Sequence, residues 1–210
     1  MGPQAHSGDM PAMPAAFTAA VEGMRRAVLR PEISCEEMPA PQRIAPFSAA
    51  LSADVGSADP LGTGETEDLG TGRIILLHDP AGNDAWQGDF RCVAYVRSDI
   101  EPEEFGDEVL ADVAWSWLTE ALDAHGATYA AASGTVTVVG TTSFGAMADQ
   151  DRTAQVEIRA SWTPLPDEDG SLDTAAHVEA WGELLCSASG LEPLPPGVTA
   201  MPSRRGQRGR

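Results

Sequence analysis

Two segments of the chain alternate between apolar and polar residues, and this period of two predicts β-strands. In residues 47–55 every second position is apolar, namely Phe47, Ala49, Leu51, Ala53 and Val55. In residues 153–163 the alternating apolar set is Ala154, Val156, Ile158, Ala160 and Trp162. Because successive side chains of a strand point to opposite faces, we expect both sets to lie in a core.

Further strands are predicted where apolar or β-branched residues run together between turn residues. Residues 74–79 and 86–97 flank the turn-forming sequence "PAGND" at 80–84, so we predict that they pair as antiparallel strands around that turn. Residues 127–144, "ATYAAASGTVTVVGTTSF", are rich in β-branched residues and predict a strand that forms a hairpin with 153–163.

Three segments carry apolar residues at spacings of three and four, which is typical of amphipathic helices. They are residues 14–30, 107–126 and 171–189, and Ser171 or Asp173 is a suitable N-cap for the third. The predicted inward positions are Phe17, Val21, Met24 and Val28; Leu110, Val113, Trp117, Leu118, Ala121 and Leu122; and Val178, Trp181, Leu185 and Ala188.

The order helix, three strands, helix, two strands, helix predicts an α+β fold. We expect a single antiparallel sheet of about five strands, with three helices packed mainly on one face. One domain is predicted over residues 14–200, with a flexible acidic loop at 56–72. Residues 1–13 and the Arg-rich tail at 201–210 are predicted to be disordered.

The net charge of the chain argues against some classes of binding partner. The 210 residues carry a net charge of −19, which repels nucleic acid and anionic membranes. No secretory signal is apparent and no apolar run could span a bilayer, so a cytoplasmic protein with a protein partner, or one forming a homodimer, is expected. The exception is the basic tail, which could contact RNA or lie on the acidic body through Arg204, Arg205, Arg208 and Arg210.

Several enzyme classes are excluded by composition. The chain has no lysine, which excludes a P-loop lysine, a Schiff-base lysine and an SxxK acyl-enzyme. Cys35, Cys92 and Cys186 form no CxxC pair, and the four histidines form no HExxH motif. We therefore predict no metal site, no cofactor and no disulfide framework.

The most enzyme-like stretch is "LLHDPAGND", residues 76–84, which places His78 beside Asp79 with Asp84 nearby. A histidine base would need a nucleophile and an orienting group within reach. Neighbouring side chains on a strand point to opposite faces, and Asp, Pro, Gly and Asn all favour turns. A hairpin turn is the preferred interpretation, and His78, Asp79 and Asp84 are kept as catalytic candidates.

The tryptophans divide between core and surface. Trp117, Trp162 and Trp181 lie on predicted inward stripes. Trp115 lies on the other side of its helix and Trp86 lies near a turn, so these two are candidate contacts in a binding surface.

Several long segments together resemble one family, among them "RPEISCEEMPAPQRIAPF", "WQGDFRCVAYVRSDIEPE" and "EAWGELLCSASGLEPLPPGV". They resemble the actinobacterial proteins of domain of unknown function 3000, over about residues 15–200 apart from the loop. The resemblance implies a cytoplasmic bacterial protein and no catalytic residue. The element order is also similar to that of the type III secretion chaperone-like fold and its YbjN-type relatives, which implies binding of client peptides, often as homodimers.

Three functions remain open at this point. The first is a non-catalytic adaptor or chaperone-like module that binds a protein or peptide. The second is an enzyme with an unrecognised pocket near His78 and Asp79. The third is an RNA-associated factor that acts through its Arg-rich tail.

Overall fold

The computed structural model describes residues 13–57, 67–167 and 170–193, and within these ranges it contains three α-helices and six strands. Two short 3-10 helices lie at Glu104–Gly106 and Gly145–Met147. In chain order the elements are α1 (Ala15–Arg26), β1 (Ile33–Met38), β2 (Phe47–Gly56), β3 (Asp68–Asn83), β4 (Gly88–Ile100), α2 (Leu110–Ala124), β5 (Tyr129–Thr141), β6 (Thr153–Pro164) and α3 (Thr174–Ala188).

The six strands form one sheet in the order β1-β2-β3-β4-β6-β5, and every neighbouring pair is antiparallel. The predicted α+β class with one antiparallel sheet is therefore confirmed, but the sheet has six strands rather than about five. The additional strand is β1, whose charged Glu36 and Glu37 and flanking prolines mask a strand pattern. Such a composition is tolerated because β1 is an edge strand with a single partner.

One face of the sheet packs against the helices. Phe17 of α1, Leu118 of α2 and Trp181 of α3 belong to the same core as the inward residues of the strands. The predicted alternating set of β6 is confirmed, since all five of its apolar side chains are buried. Gly72 of β3 makes room for the Trp181 ring, because a Cβ at that position would lie 3.0 Å from it.

Helix α2 is rotated relative to its predicted stripe. Ala114 is fully buried, whereas Val113 is 42% exposed and Trp117 is only partly buried. Leu110, Leu118, Ala121 and Leu122 are buried as predicted, and Ala114 is buried in place of Val113 and Trp117. A small residue lets a helix approach its neighbours closely, whereas side-chain size in the sequence favours Val113 as the inward position.

Three predicted boundaries also need correction. Helix α1 ends at Arg26, so Val28 lies beyond it and is 72% exposed. Strand β3 begins at Asp68, inside the predicted loop 56–72. The hairpin of β3 and β4 is confirmed, but its turn lies at residues 84–87, where the Asn83 side chain accepts a hydrogen bond from the amide of Ala85 at 3.0 Å.

Disorder is predicted for residues 1–13 and 201–210, and a flexible loop for residues 56–72. Most of these residues, namely 1–12, 58–66 and 201–210, lie outside the described ranges.

The predicted start of α3 is confirmed, because the Asp173 carboxylate accepts hydrogen bonds from the amides of Ala175 and Ala176. Cys92 and Cys186 are buried, Cys35 is exposed, and all three thiols are free. Burial raises the pKa of both Cys92 and Cys186 to about 12, so neither forms a thiolate at neutral pH.

Candidate functional site

His78 lies in the core beneath the helices and is 2% exposed. Its ring stacks on Phe90 with centroids 4.1 Å apart and on Phe17 at 5.9 Å. Its Nδ1 donates a hydrogen bond to the carbonyl oxygen of Asp89 at 3.1 Å. Among the described residues, no hydroxyl, thiol or carboxylate hydrogen-bonds to the ring, so His78 has the surroundings of an aromatic core residue.

The other two catalytic candidates do not join His78. Asp79 accepts a hydrogen bond from the amide of Ala81 at 3.1 Å, which is a turn contact, and Asp84 is exposed in the turn itself. Within the part of the chain that the structure describes, no hydrogen bond or ion pair links the three side chains. This geometry favours the hairpin interpretation of "HDPAGND".

The two candidate tryptophans are partly buried. The carbonyl oxygen of Trp86 accepts a hydrogen bond from the hydroxyl of Thr163. The Trp115 ring covers Gly134 of β5, where a Cβ would lie 2.6 Å from it, so this tryptophan packs α2 against the sheet. The four arginines of the tail lie outside the described residues.

The strongest cluster of functional side chains lies on the opposite face of the sheet, where none of the described helices covers the strands. Arg73 of β3 lies directly opposite Tyr95 of β4, and Tyr95 lies opposite Arg159 of β6. Arg97 follows two residues after Tyr95 on the same face of β4. Three arginines from three adjacent strands therefore surround one tyrosine, although the chain is strongly acidic. We call Arg73, Arg97 and Arg159 the arginine face.

The tyrosine and one arginine of this face share a single carboxylate. The Tyr95 hydroxyl donates to Glu157 Oε2 at 3.0 Å, and Arg159 Nε lies 3.0 Å from Glu157 Oε1. The Arg159 guanidinium also lies over the Tyr95 ring, 5.8 Å from its centroid. Desolvation and the hydrogen bond to Glu157 raise the pKa of Tyr95, so its hydroxyl remains protonated.

Arg73 and Arg97 make no ion pair with any described residue, and both are exposed. Together with Arg159 they border a shallow depression of about 820 Å³ whose lining contains no carboxylate. Apolar side chains and hydroxyls line the rest of it, namely Ile75, Val93, Thr71, Ser133, Thr135 and Ser161. The depression therefore offers free guanidinium groups beside apolar surface and hydroxyl donors, a combination suited to an anionic ligand.

A fourth arginine, Arg91, is buried at the margin of this face and has a different role. It donates from Nη1 to the Ala131 carbonyl oxygen and the Thr163 hydroxyl, both at 3.0 Å. From Nη2 it donates to the Ser161 hydroxyl at 2.7 Å and the Ser133 hydroxyl at 3.2 Å. Burial lowers the pKa of Arg91, but a guanidinium stays charged at neutral pH.

Arg91 supports a β-bulge in β5. The ladder between β5 and β6 breaks between Ala130 and Ser133, and Ala131 adopts a φ of 51°, which is unfavourable for a residue with a Cβ. The Ala131 carbonyl loses its place in the ladder there, and the guanidinium satisfies it. Arg91 thus holds the bulged strand in place and takes no part in the arginine face, where Arg73 and Arg97 have no ion-pair partner among the described residues.

Arg91 Nη2 also donates to the Ser161 carbonyl oxygen at 3.2 Å, so the guanidinium serves five acceptors. We expect Arg91→Lys to lower the free energy of unfolding by about 1–3 kcal/mol, because an ammonium group has three donors and cannot satisfy all five. Urea denaturation followed by circular dichroism measures the loss. Arg97→Lys is the matched control, since exposed Arg97 should change stability by less than about 0.5 kcal/mol. Equal stability of the two variants would contradict the structural role of Arg91.

The arginine face is absent from the sequence-based predictions, although the sequence carries a signal for it. Arg73, Tyr95 and Arg159 each lie at a position whose sequence neighbours, such as Ile74 and Ile158, are buried. Alternation therefore marks all three as outward-facing. It does not reveal that they share one row, because that depends on the strand register.

Metal chemistry finds no support in the described ranges, which contain no cluster of three or more His, Cys, Asp or Glu residues that could hold an ion. No helix within those ranges has the length and apolar character to cross a membrane. No curated protein and no solved structure matches the chain. The family model described as "Protein of unknown function (DUF3000)" matches residues 13–199, in agreement with the resemblance noted above. Because this match spans most of the 210 residues, the chain belongs to that family.

Proposed function

We propose that this protein is a non-catalytic binding module whose arginine face holds an extended, acidic segment of a partner protein. The observation that carries the proposal is the convergence of Arg73, Arg97 and Arg159 on the uncovered side of the sheet. Two of these guanidinium groups have no carboxylate partner among the described residues, so a ligand can engage them without breaking an existing ion pair.

The chemistry of the depression supports a peptide with both carboxylates and apolar side chains. A guanidinium binds a carboxylate through two parallel hydrogen bonds, which fixes orientation as well as adding affinity. Ile75 and Val93 lie between the arginines and buried Arg91 and offer apolar contact area. Hydroxyl groups of Ser133 and Thr135 are available to backbone carbonyls of the peptide.

A protein segment suits this face better than nucleic acid does. The chain carries a net charge of −19, so a long polyanion is repelled by most of the molecule. Carboxylates also lie near the arginines. Glu36 of β1 lies opposite Ser52 of β2, and Ser52 lies opposite Arg73 of β3. Asp99 comes two residues after Arg97 on the same strand, β4. A short acidic segment can end before it meets them, whereas a phosphate backbone would continue into them.

The alternatives rest on weaker observations. An enzyme around His78 and Asp79 lacks an accessible base, because His78 is packed among phenylalanines in the core. An RNA-associated role depends on the tail arginines, which lie outside the described residues. The chaperone-like role is the closest to our proposal, since it too requires a face that binds an extended client peptide.

We expect the double variant Arg73→Gln/Arg97→Gln to bind an acidic peptide about tenfold more weakly, because two charged contacts of roughly 0.7 kcal/mol each are lost. The probe is a fluorescein-labelled peptide of alternating glutamate and valine residues, and fluorescence anisotropy measures its affinity. Binding should also weaken as salt is added, since the contacts are exposed to solvent.

Three controls define the outcome. Arg26→Gln removes an exposed arginine from α1 on the helix side and should bind the peptide as the unaltered protein does. A peptide of alternating lysine and valine should not bind. The proposal is wrong if the double variant keeps full affinity, or if a single-stranded oligonucleotide of equal charge binds more tightly than the acidic peptide.

A further inference from the structure

Strand β5 forms one edge of the sheet and pairs only with β6. Its 13 residues, "YAAASGTVTVVGT", include no charged residue and no proline. Natural proteins usually protect an edge strand with charged side chains, prolines, bulges or a covering element, because its unpaired backbone groups can pair with another strand. In β5 the bulge between Ala130 and Ser133 protects one end, and residues 133–141 continue as a regular ladder with β6.

The outer edge of this regular part is open. Side chains are exposed at most positions from Ser133 to Thr141. Within the described ranges, no hydrogen bond from outside the β5–β6 ladder reaches the backbone of residues 134–141. A run of backbone donors and acceptors is therefore available to a new strand.

Exposed apolar side chains are concentrated in β5 and in the segments that precede and follow it in the chain. The described part of the chain exposes nine large apolar residues, and six of them belong to β5 or to the segments next to it. Phe105 packs against Gly140 of β5, where a Cβ would lie 2.7 Å from its ring. The six are Phe105, Val109, Val113, Val139, Phe144 and Met147. When a second strand pairs with β5, part of this exposed apolar surface becomes buried, which favours the pairing.

We propose that two copies of this chain pair through their β5 strands, antiparallel, with a two-fold axis at Thr137. The two six-stranded sheets then form one continuous sheet, with the helices of both copies on the same side. In this register Val136 of one copy lies opposite Val138 of the other, and Gly134 lies opposite Gly140.

The composition of β5 favours a second copy over a foreign strand. Residues that lie opposite each other in this register are on the same face of the joined sheet. Val136 therefore lies beside Val138 of the other copy on the helix side, and the two Thr137 side chains meet on the open side. A strand that selects a foreign partner commonly carries charges complementary to that partner, and β5 has none. Each copy also brings the same apolar surroundings, as a two-fold interface requires.

Thr137→Lys tests this arrangement, because it places two like charges directly opposite each other at the two-fold axis. The substitution suits the single chain, since Thr137 is exposed and lies opposite Glu157 of β6. Sedimentation equilibrium should give the unaltered full-length chain twice the mass of the 22.0 kDa monomer and give Thr137→Lys the monomer mass. Thr137→Glu should also be monomeric, and an equimolar mixture of the two variants should recover the dimer through opposite charges.

Ser34→Lys is the matched control, because Ser34 is exposed on β1, the other edge of the same sheet, and its variant should stay dimeric. Circular dichroism and thermal melts check that every variant is folded, and Thr137→Arg, which also lies opposite Glu157, replaces Thr137→Lys if the latter unfolds. The proposal is overturned if the unaltered chain is monomeric or if the Thr137→Lys chain remains dimeric. A monomeric unaltered chain would indicate that the β5 edge pairs with a strand of another protein. The double variant Arg73→Gln/Arg97→Gln should remain dimeric, so the outcome is independent of peptide binding.

Discussion

Replacing Trp162 with alanine is expected to lower the free energy of unfolding by about 3–5 kcal/mol, the usual cost of deleting a large buried aromatic side chain. Trp162 has no exposed surface and lies at the end of the inward row of β6. Its indole Nε1 donates to Nδ1 of His177 in α3 at 3.1 Å. The substitution therefore opens a cavity between sheet and helix and also leaves the buried His177 acceptor without its donor.

Urea denaturation of the alanine variant, followed by circular dichroism at neutral pH, measures this loss. Trp117→Ala is the matched control, because Trp117 is only partly buried and its removal should cost clearly less. Trp162→Phe helps to separate the two causes, since it removes the indole N–H but opens a smaller cavity than alanine does. A loss below about 1 kcal/mol for Trp162→Ala would show that the sheet–helix core rearranges to fill the site.

The stability of the protein is expected to fall by about 3 kcal/mol as the pH decreases from 6.5 to 4, through His177 alone. Desolvation lowers the pKa of buried His177 to about 4, and the nearby Asp173 carboxylate only partly opposes this effect. The unfolded chain takes up a proton near pH 6.5, whereas the folded protein does not. Protonation therefore favours unfolding throughout this window, and the contribution is fully present above it.

His177→Asn isolates this effect, because the asparagine Oδ1 can replace Nδ1 as the acceptor for Trp162 and does not titrate. Denaturation curves at several pH values should show the variant less stable at pH 7 and the difference shrinking by about 3 kcal/mol towards pH 4. Carboxylates whose pKa is lowered by an arginine, such as Glu32 beside Arg30, contribute equally to both proteins and cancel. Parallel pH profiles for the two proteins would contradict this role of His177.

Elements with a strong local period were predicted correctly, and those decided by neighbours were not. The alternation in β2 and β6 marks their inward residues because the period of two is a property of the strand itself. Strand β1 has no such period, and it is a strand only because β2 pairs with it. Val113 and Ala114 are both apolar, and only the packing of α2 against the neighbouring elements decides that Ala114 is the buried one.

The candidate site depended on register more than on any motif. A hairpin centred on the predicted turn at 80–84 would pair Arg73 with Arg91. The turn lies instead at residues 84–87 and the register also shifts between His78 and Asn83, so that Arg73 pairs with Tyr95. Both registers put Arg73 on the same face, so alternation could not distinguish them.

The sequence by itself determined the fold class, the two strands with clean alternation, and the cap and inward residues of α3. These follow from local backbone geometry and composition, which each segment carries without its neighbours. Only the tertiary structure decided that His78 belongs to an aromatic core, that Arg91 supports a bulge, and that three arginines meet around Tyr95. Those features arise from strand register and helix packing, which depend on residues far apart in the chain, so no single segment encodes them.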